Sequence, residues 1–68
     1  MDMTYDEIEL VVMYNILDKT EFIHQLNLAL PETDDAEMRE IMIGLIDKVS
    51  RMTAAEYKVM LDLGEAII

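Results

Sequence analysis

The sequence has no cysteine, only two glycines, one histidine, and five basic residues against 15 acidic ones. Each shortage closes a class of function. Without cysteine there is neither a disulfide nor a thiolate metal site, and small secreted domains commonly depend on such staples. Gly44 and Gly64 stand alone, which leaves no glycine-rich loop to cradle a phosphate. His24 sits beside Gln25 and Asn27 and reads as a polar surface residue rather than a base or ligand. Ser50 has no histidine near it in sequence. The net charge of −10 repels phosphates at long range, so direct binding to nucleic acid or to anionic membrane surfaces is not expected. The longest uninterrupted apolar run, Leu10 to Tyr14, is far too short to span a bilayer. Asp2, Asp6, Glu7 and Glu9 occupy the region where a signal peptide would be basic and then apolar. These features predict a cytoplasmic protein.

What is present is an apolar surplus. Hydrophobic residues make up 53% of the 68 positions. Disorder requires low hydrophobicity together with high charge, so the chain is expected to fold. Its length suits one small domain over residues 1–68, with a possible flexible tail from about 63. Such a domain buries only roughly 60% of the surface that its unfolded chain exposes.

One short pattern recurs. MTYDEI at 3–8 and MTAAEY at 52–57 each place a threonine three residues before a glutamate. A bulky apolar residue stands on either side of that pair. This spacing is a capping box with its hydrophobic staple: the hydroxyl accepts from an orphan amide, and the glutamate reaches back to the cap's own amide. LDKTEF repeats the device with Asp18 and Glu21. TDDAEM offers a fourth copy with Asp34 as the cap and Glu37 three residues on. Four starts predict four helices, at about Tyr5–Leu17, Lys19–Leu30, Asp35–Arg51 and Ala54–Asp62. Thr4, Asp18, Asp34 and Thr53 are the expected caps. Pro31 ends the second helix, and Gly64 reads as a glycine just past the end of the fourth.

The apolar spacing predicts an all-α bundle. Met38, Met42, Leu45, Val49 and Met52 form one stripe on the third helix. Phe22, Ile23, Leu26, Ala29 and Leu30 face inward from the second, and Tyr57, Met60 and Leu61 from the fourth. The first helix is apolar most of the way round, which predicts a central position or an exposed strip used for partner binding or dimerisation. Gly44, mid-way along the third helix, suggests close approach of a neighbour.

The acidic group Glu32, Asp34, Asp35 and Glu37 lacks the alternation and central glycine of a calcium loop. Helix starts explain it better, because the helix dipole favours negative charge there. No metal, cofactor or catalytic residue is expected.

Three segments carry a family resemblance: YDEIEL near the start, LPETDDAEMRE in the middle and DKVSRMTAAEY near the end. In order and spacing they resemble the transposon-transfer assisting proteins of clostridial conjugative transposons, over Tyr5 to Tyr57. Lys19 departs from the arginine expected there. The resemblance implies an accessory role in transfer of a mobile element and no enzymatic activity. It leaves two mechanisms open. One is contact with a protein partner, for which Tyr14, Tyr57 and Met60 are the candidate residues. The other is acidic mimicry of DNA, directed at a host DNA-binding protein.

Overall fold

The computed structural model describes residues 3–67. Four helices account for most of them: α1 Tyr5–Tyr14, α2 Lys19–Ala29, α3 Ala36–Ser50 and α4 Ala54–Ile67. A 3-10 turn, Leu30–Glu32, joins α2 to α3, and there is no strand among the described residues. The expected all-α bundle is the observed fold. Its extents are 30 × 22 × 18 Å.

The helix starts show which boxes close. Glu7 N–H donates to Thr4 Oγ1 at 3.2 Å, and Thr4 N–H donates to Glu7 Oε1 at 2.9 Å. Thr53 and Glu56 make the same reciprocal pair at 3.1 and 2.8 Å. MTYDEI and MTAAEY are therefore one structural device used twice. The aspartate caps stay half closed. Asp18 accepts from Thr20 N–H at 2.9 Å, while Glu21 accepts from Gln25 instead of reaching back. At α3 the expectation was one residue out: the cap is Asp35, not Asp34, and Asp35 Oδ1 accepts from Glu37 and Met38 amides. Asp35 thereby satisfies two of the first-turn amides of α3 by itself.

The helix ends differ more from expectation. α1 stops at Tyr14 because Asn15 adopts a left-handed conformation, φ 51°, with its amide bonded to Val11 O. Asparagine tolerates that region better than most residues. α4 runs on to Ile67, through the stretch from 63 expected as a tail. Gly64 is thus buried inside the helix, not beyond its end.

The core gathers Leu10, Val11, Phe22, Leu26, Met42, Leu45, Val49, Tyr57, Met60 and Leu61. The α3 stripe lies as its spacing predicts, with Met38 and Met52 half-buried at its two ends. α1 packs on α4 and α3, and α2 packs on α3 and α4. α1 and α4 approach closely at Gly64, where a Cβ would stand 2.9 Å from Cγ2 of both Ile8 and Val12. Gly44 has no such constraint, since its nearest neighbour would be Glu7 Oε2 at an ordinary 3.7 Å. The close-approach role expected of Gly44 belongs to Gly64.

Two polar bonds tie the ends of helices to distant segments. Lys19 Nζ donates to Met52 O at 2.7 Å, placing a cation where the α3 carbonyls run out. Tyr57 Oη donates to Ile16 O, fixing the start of α4 against the α1–α2 turn.

Candidate functional site

The three residues singled out for partner binding lie mostly inside. Tyr57 is 0% exposed and Met60 3%, so neither offers a free surface. Tyr57 fills the core with its ring 5.6 Å from Phe22. Burial, and then the Asp18 carboxylate, push its hydroxyl up to about 12. Tyr14 is half-buried and meets the edge of Phe22 at 5.7 Å and 84°. Tyr57 is a core residue whose polar tip ends at a backbone carbonyl, and Tyr14 packs against the core from its edge.

The most deeply placed charge among the described residues is Glu7, 5% exposed. Its Oε1 lies 2.7 Å from Lys48 Nζ, so one carboxylate both caps α1 and ties it to α3. Burial works to raise its pKa, but the hydrogen bonds from Lys48 and Thr4 outweigh this and hold the carboxyl below its ordinary value. Beside it Asp6, Glu37 and Glu40 line a shallow depression with Thr4 and Ile41. Among the described residues no group of histidine, cysteine or carboxylate side chains is placed to hold a metal ion.

The exposed apolar surface lies elsewhere. On α4, Val59, Leu63 and Ile67 are 53, 59 and 64% exposed. They recur every fourth residue and so form one strip on the side away from Tyr57 and Leu61. Leu63 and Ile67 also wall a groove of about 170 Å³, with Ile8 and Met3 on its other side and Met60 and Gly64 in its lining. Gly64 makes this groove: without a side chain there, α1 and α4 close together and their outer apolar residues become neighbours. Met60 therefore belongs to the groove lining, though not as an exposed residue. Leu63 and Ile67 escaped the sequence reading because Gly64 was taken as the helix end, which cut α4 short at Asp62. Their spacing from Val59 is the feature that would have found them.

A family model described as "Putative transposon-transfer assisting protein" matches residues 3–62. The chain belongs to this family. The match covers all three segments that carried the resemblance, together with Met3, Ile8 and Met60 of the groove; Leu63, Gly64 and Ile67 lie just beyond it. No match to the chain was found among curated proteins or solved structures. No helix among the described residues is long and apolar enough to cross a membrane.

Proposed function

We propose that this protein assists transfer of a conjugative transposon from within the cytoplasm, without catalysis, by contacting another protein through the α1–α4 face. One observation carries the reading: Val59, Leu63 and Ile67 form an exposed apolar strip that continues into the Met3–Ile8 groove. Isolated exposed hydrophobic residues are ordinary, whereas a contiguous strip on so small and charged a domain is a candidate contact surface. The two most buried ionisable side chains among the described residues are engaged structurally. Glu7 caps and pairs, and Tyr57 bonds to Ile16 O.

The test is transfer frequency from donor cells whose element encodes Leu63→Asp or Ile67→Asp. Both side chains are exposed, so each variant should keep the parent's helical signal and melt. Transfer should fall in both and stay at the parent level for Met13→Asp, an exposed apolar residue of α1 that does not line the groove. Parent-level transfer by folded Leu63→Asp and Ile67→Asp chains overturns the reading.

A further inference from the structure

We infer that the α1–α4 groove receives a basic amphipathic helix of the partner protein. This rests on the interaction reading above and adds the chemistry of the occupant.

Shape gives the first argument. Val59 to Ile67 spans about 12 Å along α4, at 1.5 Å per residue. Across the groove, Ile8 and Val12 continue the apolar surface, and Tyr5 stands three residues before Ile8 on the same side. Two helices packed side by side leave a furrow between them. A third helix fills such a furrow with residues at i, i+3, i+4 and i+7.

Charge gives the second argument and selects the partner. α1 and α4 together carry Asp6, Glu7, Glu9, Glu56, Asp62 and Glu65 but only one basic residue, Lys58. Glu7 is already paired with Lys48. By helical register, Glu56 lies on the same face as Leu63, and Glu9 borders Tyr5. Asp62 and Lys58 stand one turn apart on a side of α4 turned about 100° or more from Leu63, away from the groove. The furrow itself is apolar, and the carboxylates nearest its edges are Glu9 on α1 and Glu56 on α4. A helix with lysine or arginine beside its apolar stripe meets both features, whereas a second copy of this chain would bring another net −10 against the same rim.

The probe is a fluorescent peptide of about 18 residues with leucines at helical spacing and lysine or arginine between them. Its comparators are a scrambled peptide of the same composition and one with glutamate in place of the basic residues. Anisotropy with the full chain should show binding of the first peptide alone. Leu63→Asp and Ile67→Asp should each weaken it by at least about tenfold, as expected for residues at the centre of an interface. Glu9→Lys should weaken it less, and Met13→Asp should leave it unchanged. Binding should also fall as ionic strength rises from about 0.01 to 0.15 M, because the screening length shrinks from about 30 to 8 Å.

Equal binding of the scrambled peptide would reduce the effect to bulk charge and overturn the inference. So would no binding of the basic peptide, or binding that Leu63→Asp and Ile67→Asp leave intact. A parent dimer in sedimentation that Leu63→Asp dissolves would assign the groove to a second copy instead. The two readings separate cleanly. If folded Leu63→Asp abolishes transfer yet no basic peptide binds, this inference falls and the interaction reading stands. Peptide binding that Leu63→Asp abolishes while transfer proceeds normally supports the groove chemistry and removes the interaction reading.

Discussion

Glu7 Oε1 accepts from both Lys48 Nζ, at 2.7 Å, and the Thr4 amide, at 2.9 Å. A single oxygen joins the start of α1 to α3. Glu7→Gln keeps an acceptor for the Thr4 amide but removes the charge opposite Lys48. Stability should drop by about 1 kcal/mol at neutral pH, less than the roughly 1.5–3 kcal/mol of a charged hydrogen bond because Lys48 is 37% exposed. The pH dependence has a definite sign. The folded pKa is depressed, so the stabilisation is present above the ordinary value of 4.5 and is lost as pH falls through the folded value. Urea midpoints of parent and variant should differ at neutral pH and converge as pH falls below 4.5 and through the folded value. A gap that persists on acidification would show that the charge is not the source.

Tyr57 titrates in the opposite direction. Its hydroxyl is raised from 10.0 to about 12 in the folded chain, so the unfolded chain loses this proton first. Unfolding free energy should fall as pH climbs from 10 towards 12. Tyr57→Phe should flatten that limb. It should also cost about 1–2 kcal/mol at neutral pH, because Ile16 O loses its donor. An unchanged alkaline limb in the variant would assign the effect to other groups.

The two glycines should respond with opposite signs to alanine. At Gly44 the added methyl meets nothing closer than 3.7 Å, and the helix gains roughly 1 kcal/mol of propensity. At Gly64 the methyl would collide with Ile8 and Val12 at 2.9 Å, and β-branched side chains have little freedom to turn away. Overpacking of this kind costs about 1–3 kcal/mol, more than propensity returns. Thermal melts of the two variants should move apart, Gly44→Ala upward and Gly64→Ala downward.

Thr4→Ala and Thr53→Ala should each destabilise by about 0.5–2 kcal/mol, and serine should restore most of it by keeping the accepting oxygen. Loss of partner binding without loss of stability would mean that these threonines recognise something rather than cap.

Residues whose roles are local were legible in the sequence. Thr4, Asp18 and Thr53 needed only their spacing to glutamate and the apolar run that follows, and the α3 stripe needed only its period. What escaped depended on contacts between helices. Gly64 has two ordinary uses, ending a helix or admitting a neighbour, and only the position of α1 distinguishes them. Reading it as an end hid Leu63 and Ile67 and left Tyr57 and Met60 as the candidate contact residues of α4. Tyrosine is common at interfaces, but Tyr57 is also the inner half of a staple, and in the fold that role places its ring in the core beside Phe22. Asp34 and Asp35 are equivalent as cap residues by type. The backbone separates them, by bringing Asp35 Oδ1 to the Glu37 and Met38 amides.

Met3 and Ile67 line the same groove although they stand near opposite ends of the described chain. Both ends of the bundle's backbone therefore come to one edge. A label or domain joined close to Met3 or Ile67 is tethered beside the groove, at an effective concentration on the order of millimolar for a short flexible linker. A basic tag would act as a built-in competitor for the site, and an acidic one would leave it open while adding to the repulsion around it. Capture experiments that fail with an end-attached label could thus report on the label. An attachment at Glu32, exposed in the turn between α2 and α3 and not part of the groove lining, keeps the face clear.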